Sequence, residues 1–179
     1  MIEVIDNFLP NDLIGELHKQ TVTLMTSQHE VFSTNYWWNE KLRKGNPTPS
    51  PILIHNLRHP DSRHLHKKVV EFMGERLPEM EVMGVLFHMM TPGAFIGEHR
   101  DYHPTDRTHA LTIYLNTSEW TLDNGGVLRY NDTINNEKGY VIPKYNRAVL
   151  LGGLVHHEVE PVSHGHVRKS LQLWLKQRD

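Results

Sequence analysis

Val82-Met83-Gly84-Val85-Leu86-Phe87-His88-Met89-Met90, the turn Thr91-Pro92-Gly93 and then Ala94-Phe95-Ile96-Gly97-Glu98-His99-Arg100-Asp101 make up the stretch from which the rest of the chain can be read. It holds a β-rich run at 82–90, a Pro-Gly turn and a second short run at 95–100, with no helix between them. The pattern continues downstream. Residues 109–115, 126–130, 140–142, 148–151, 156–159 and 170–175 are further short β-rich runs, separated by turn clusters such as Asp123-Asn124-Gly125-Gly126 and Asn135-Asn136. Upstream the character differs. Residues 2–5 read as a short strand, and Asn11 or Asp12 can cap a helix running to about Leu24. Leu65, Val69, Val70 and Met73 give residues 61–76 helical spacing. Residues 33–51, with Trp37-Trp38 in a setting of Asn, Lys, Pro and Ser, read as a long loop, broken at most by a short strand. Loops of that length are often binding loops or lids. Helices followed by many short strands predict a mainly β fold with supporting helices, a double-sheet sandwich or jelly roll.

At 179 residues the chain is most simply one domain, with residues 1–79 as helical buttress and substrate loop and residues 80–179 as the β core. A formal net charge of -2 gives no basic field for nucleic acid. No run approaches the roughly 20 apolar residues that span a bilayer, and no secretory signal opens the chain. Cysteine is absent, which excludes disulfides, thiolate metal sites and Cys nucleophiles. A cytoplasmic location is expected. Any metal must be held by His, carboxylate or water, and most of the 14 His must be doing something else.

His99 and Asp101, two residues apart on a strand, point the same way because strand side chains alternate faces. A second His beside them, from His157-Glu158-Val159-Glu160-Pro161-Val162, completes a face of two His and one carboxylate. Such a face suits Fe(II) and leaves positions open for a cosubstrate and dioxygen. Arg168 could then anchor the carboxylate of a metal-bound oxo acid. The pattern is that of an iron- and 2-oxoglutarate-dependent oxygenase.

From about Met90 to Leu175 the chain resembles the prolyl 4-hydroxylase branch of the Fe(II)/2-oxoglutarate oxygenases, which includes the hypoxia-factor and collagen prolyl hydroxylases. The resemblance is most specific in Ile113-Tyr114-Leu115-Asn116, Trp120 and Gly125-Gly126-Val127-Leu128-Arg129. It implies a double-stranded β-helix, a cupin-like jelly roll, with iron on His99, Asp101 and His157. It also implies 2-oxoglutarate anchored by Arg168 and Tyr114, with Thr112, Leu128 and Val159 lining its pocket. Dioxygen is then the oxidant and ascorbate an optional reductant. His156 and Lys169, the immediate rivals of His157 and Arg168, fall on the opposite strand face by parity. Because Asp101 is retained, hydroxylation is favoured over halogenation.

For the substrate, the resemblance places Arg107 near the mouth of the site and Trp37 and Trp38 in a loop that closes over it. Each also has a plain reading, Arg107 as a solvated charge and the Trp pair as packing. Thr91 stands where an aromatic often precedes the Pro-Gly turn, so the substrate is less defined than the metal site. The leading expectation is a prolyl residue in a peptide or protein. A free amino acid or other small molecule is the alternative, and a non-catalytic metal- or oxoglutarate-binding sensor is a second. Nucleic acid is disfavoured: the relevant branch carries a second Arg six residues after the anchor, where this chain has Trp174.

Overall fold

A computed structural model describes residues 1–26, 33–34, 52–103 and 105–178. Its eleven named strands are β1 (Ile2–Ile5), β2 (Ser33–Thr34), β3 (Ile52–Asn56), β4 (Met80–Met90), β5 (Ile96–His99), β6 (His109–Tyr114), β7 (Leu128–Asp132), β8 (Glu137–Val141), β9 (Ala148–Gly152), β10 (His156–Val159) and β11 (Arg168–Gln177). Two helices, α1 (Asn11–Thr26) and α2 (Arg63–Arg76), complete the named elements with two short 3-10 turns. The strands form a seven-stranded sheet in the order β1-β9-β6-β11-β4-β3-β2 and a four-stranded sheet in the order β5-β10-β7-β8. Neighbouring strands pair antiparallel throughout both sheets. This is the double-sheet jelly roll expected from the run of short strands, in the double-stranded β-helix form that the resemblance implies.

Period-two alternation sorts the large sheet into two faces. Val85, Phe87 and Met89 of β4, Leu111 and Ile113 of β6, and Leu171, Leu173 and Leu175 of β11 share a core with Leu13, Ile14 and Leu17 of α1 and Leu65, Val69 and Met73 of α2. The intervening residues, Met90, Tyr114, Val149 and Leu151 among them, share a second core with Leu128, Val141 and Val159 of the small sheet. The helices therefore cover one face of the large sheet, and the small sheet covers the other. Along α2 the buried residues recur every fourth position, which is why a short, otherwise polar helix docks with only a narrow apolar stripe.

Strand β3 was not anticipated. Its five residues, Ile52-Leu53-Ile54-His55-Asn56, are too few to show a period and follow a Pro-rich stretch. They find their place only by pairing with β4, Ile54 opposite His88. Together with β1 and β2 it means that the N-terminal part supplies strands to the large sheet as well as a helical buttress. Trp37 and Trp38 lie outside the described residues.

Asn146 ties the N-terminal segment to the sheet. It sits at φ 59°, the left-handed region, and its amide both accepts from Leu9 N (2.9 Å) and donates to Leu9 O (2.8 Å). Asn146→Ala removes both buried bonds and leaves Ala in a costly conformation, so it is expected to destabilise the fold by about 2–4 kcal/mol. For a chain of this size that is a fall of roughly 4–16 °C in Tm, read by thermal unfolding.

Candidate active site

Antiparallel pairing of β10 with β5 sets His157 directly opposite His99, and their rings lie 4.3 Å apart between centroids. Asp101 follows two residues after His99. It stands just past the end of β5 rather than within it, so the shared direction comes from the chain's exit and not from strand alternation alone. One ligand-capable atom from each of His99, Asp101 and His157 lies within 4.8 Å of the others. His157 and Asp101 are buried. His156 faces away, with Nδ1 3.5 Å from Glu98 on the outer side of the small sheet.

Backbone carbonyls fix both imidazoles. His99 Nδ1 donates to Gly97 O at 2.8 Å, and His157 Nδ1 donates to Val155 O at 3.0 Å. A carbonyl can only accept, so each Nδ1 carries hydrogen and each Nε2 turns inward. Those inward nitrogens approach the Asp101 carboxylate, at 3.3 Å from His157 and 4.0 Å from His99. In neutral rings they would present lone pairs to an anion, an arrangement that calls for a proton or a cation between them. Burial pushes the His99 pKa down, helped by the charge of His157, with Asp101 partly opposing. Burial also opposes charge on His157 and Asp101, but their mutual bond outweighs it, raising His157 and lowering Asp101. Trp174 Nε1 donates to Asp101 Oδ1 at 3.3 Å and so orients the carboxylate from behind. The donor set thus fits a divalent cation such as Fe(II).

The triad opens into a cavity of ≈ 590 Å³, counting its open mouth, between the two sheets. Ile52, Ile54, Ile96, Leu128, Val159 and Trp174 supply mainly apolar walls, while Thr112, Gln172, His88 and Arg168 supply the polar lining. On β11 the alternate residues Arg168, Gln172 and Trp174 face this space, as parity predicts, and Lys169 points to a different surface beside Asn116 and His166. Thr112 Oγ1 donates to Gln172 Oε1 at 2.6 Å, which turns the Gln172 amide.

Arg168 is 2% exposed and forms no ion pair among the described residues. Its Nη1 donates to Ser170 Oγ at 3.1 Å, and its guanidinium lies 4.9 Å from the Tyr114 ring centroid. Arg168 Nε and the Tyr114 hydroxyl have no well-formed hydrogen bond. Burial pushes the Tyr114 pKa up, with Arg168 partly opposing, so the phenol remains a neutral donor. A buried cation without an anion is costly; a carboxylate entering from the cavity would satisfy it. The backbone around Arg168 is fixed locally. Asn116 brackets the residue by donating to Val167 O and accepting from Lys169 N, both at 2.8 Å. Gly126, at φ 62°, leaves room that a Cβ would fill at 3.0 Å from Arg168 Cδ.

Arg107 does not line the cavity. Its guanidinium lies 5.1 Å from the Trp174 ring centroid, and its Nε is 3.8 Å from Asp106. Ile52, Ile54, Ile96 and His88 are lining residues that sequence reasoning missed. For His88 the available signal was parity, since it alternates with Met90 in the opening stretch, but its cross-strand neighbours could not be known from it.

The model of the 2OG-Fe(II) oxygenase superfamily matches residues 85–176, just over half of the chain. No curated protein matches the sequence. Among solved structures, a Pseudomonas putida prolyl-4-hydroxylase superposes with a TM-score of 0.74 at 23% identity, over 99% of this chain and 92% of that one. A Trichoplax adhaerens prolyl hydroxylase, in complex with a hypoxia inducible factor peptide fragment, gives 0.72 at 19% identity over 98% and 83%. The α-ketoglutarate-dependent epimerase SnoN from nogalamycin biosynthesis gives 0.71 at 9% identity over 98% and 78%. At these identities the structural likenesses establish the fold. With the family match they lead to one assignment: the chain belongs to the 2OG-Fe(II) oxygenase superfamily.

Proposed function

We propose that this protein is a dioxygenase that hydroxylates a prolyl residue of a peptide or protein, using His99, Asp101 and His157 to hold Fe(II) and Arg168 with Tyr114 to hold 2-oxoglutarate. The carrying observation is the pairing, in one cavity, of an inward-facing His/Asp/His cluster with a buried Arg that has no counter-ion among the described residues. When bound, Fe(II) with 2-oxoglutarate and dioxygen supplies the oxidation, in which one oxygen atom goes to the substrate C–H bond and the other to succinate, with release of carbon dioxide.

The chain's own residues do the positioning. Gly97 and Val155 carbonyls keep both His Nδ1 atoms protonated, so that each Nε2 lone pair is available to metal. Trp174 holds Asp101 in place, and the Arg107 guanidinium over the Trp174 ring braces that indole from outside the cavity lining. Leu128 and Val159 keep water from the cosubstrate, and Arg168 fixes which end of it faces away from the metal. The prolyl assignment is supported by likeness to prolyl hydroxylases, one holding a peptide. A small-molecule substrate is the second reading, supported by the comparable likeness to an epimerase of nogalamycin biosynthesis.

The test is incubation of the Fe(II)-loaded chain with 2-oxoglutarate, oxygen, ascorbate and a panel of proline-containing peptides. Mass spectrometry should locate a gain of one oxygen atom on proline, matched by succinate. Succinate above background with every peptide unmodified would reject the prolyl reading and favour the small-molecule one.

A further inference from the structure

Three buried polar atoms without a hydrogen-bond partner among the described residues stand on adjacent strands: Arg168 Nε on β11, the Tyr114 hydroxyl on β6 and Nε2 of His88 on β4. Ser170 of β11 pairs with His88 on one side and with Tyr114 on the other, so the three strands present His88, Ser170 and Tyr114 as one cross-sheet row. The Arg168 guanidinium folds back over this row. Its Nη1 reaches Ser170 Oγ, and its plane lies above the Tyr114 ring. His88 lines the same cavity and packs edge-on to Trp174, with ring centroids 6.5 Å apart.

Arg168 and Asp101 are the charged groups that act on this imidazole. Burial and the Arg168 charge hold the His88 pKa down to about 4, with Asp101 partly opposing. The ring is therefore neutral near pH 7, with one N–H to donate. Ser170, its neighbour in the row, is already engaged by Arg168. No hydrogen bond in the described chain uses the enclosed nitrogen, and the row sets His88 beside Ser170, the residue that Arg168 engages.

We infer that His88 is a third donor to the far carboxylate of the 2-oxo acid, completing with Arg168 and Tyr114 a cradle built across three neighbouring strands. This rests on the 2-oxoglutarate reading above. A carboxylate offers about four lone-pair sites, enough for two bonds from Arg168 and one each from Tyr114 and His88. His88 is then a specificity-determining residue, favouring oxo acids with a second carboxylate over those with a methyl in its place.

The test compares 2-oxoglutarate with 2-oxopentanoate, which has the same carbon chain but a terminal methyl. Binding is measured by calorimetry to the full chain loaded with redox-inert Mn(II), for the native protein, His88→Leu and His88→Gln, with melting curves as a folding check. His88→Leu should weaken 2-oxoglutarate about 10- to 100-fold, the range of a hydrogen bond to a charged group, and leave 2-oxopentanoate essentially unchanged. His88→Gln, which keeps an N–H, should fall between. If His88→Leu fails to fold, the same selective loss in folded His88→Gln carries the test. Unchanged 2-oxoglutarate affinity, or equal weakening of both acids, overturns the role of His88 while leaving the oxoglutarate reading intact. Failure of the native protein to prefer 2-oxoglutarate overturns both.

Discussion

Asp101→Ala is expected to abolish 2-oxoglutarate turnover while leaving a folded chain. Asp101 is the sole carboxylate in the His/Asp/His cluster, and its two oxygens meet His157 at 3.3 Å and His99 at 4.0 Å. Without it, two imidazoles face each other with no anion to offset a divalent charge. Loss of an outer-shell partner alone typically costs a metal site about 10–100-fold in affinity; loss of the carboxylate itself should exceed that. The fold should survive. The substitution removes a buried charge as well as its bonds, and the clearest loss to stability is the acceptor of the half-buried Trp174 Nε1, which costs less than the about 1–3 kcal/mol of a fully buried unpaired donor. Fe(II) titration followed by calorimetry, with melting curves alongside, reads both parts. Retained turnover in this variant would exclude the cluster as the metal site.

Arg168→Ala should act on the cosubstrate and not on the metal. The guanidinium is buried, held by Ser170 and Tyr114, and lacks a counter-ion in the described chain. Truncating one side of a buried charge pair costs about 2–5 kcal/mol, roughly 30- to several-thousand-fold in the Kd for 2-oxoglutarate. Fe(II) affinity should stay near native. Lys169→Ala is the internal control. Lys169 lies on the opposite face of β11, beside Asn116 and His166, and the affinity should change by less than about 0.5 kcal/mol, as for substitutions away from a site. A loss in Lys169→Ala with none in Arg168→Ala would mean that the anchor has been misassigned.

The features legible in the sequence are those governed by short periods. Alternation along β11 separates Arg168, Ser170, Gln172 and Trp174 from Lys169, Leu171, Leu173 and Leu175, and the two cores divide along that line. The same rule distinguishes His157 from His156. Turn residues marked the strand boundaries within a few positions, and the four-residue spacing of Leu65, Val69 and Met73 marked α2. Features that depend on long-range pairing were not legible. Nothing within Ile52–Asn56 indicates that it will lie beside β4 and wall the cavity with Ile52 and Ile54. Nor can the isolated run 82–90 reveal that His88 will meet Ser170, or that Arg107 will stack on Trp174. Such contacts arise from sheet order, which is set by the whole chain. Asp101 shows the limit of a local rule: it shares the direction of His99, yet it stands beyond the strand whose alternation predicted this.

One measurement bears on the oxygenase activity before any substrate is known. Native protein and Asp101→Ala are loaded anaerobically with Fe(II), then exposed to oxygen and labelled 2-oxoglutarate, and succinate is followed with oxygen uptake. The expected result is succinate formed in step with oxygen consumed by the native chain, slow without substrate, and neither above background in the variant. Succinate at equal rates in both, or in neither despite tight 2-oxoglutarate binding, would contradict catalysis at His99, Asp101 and His157.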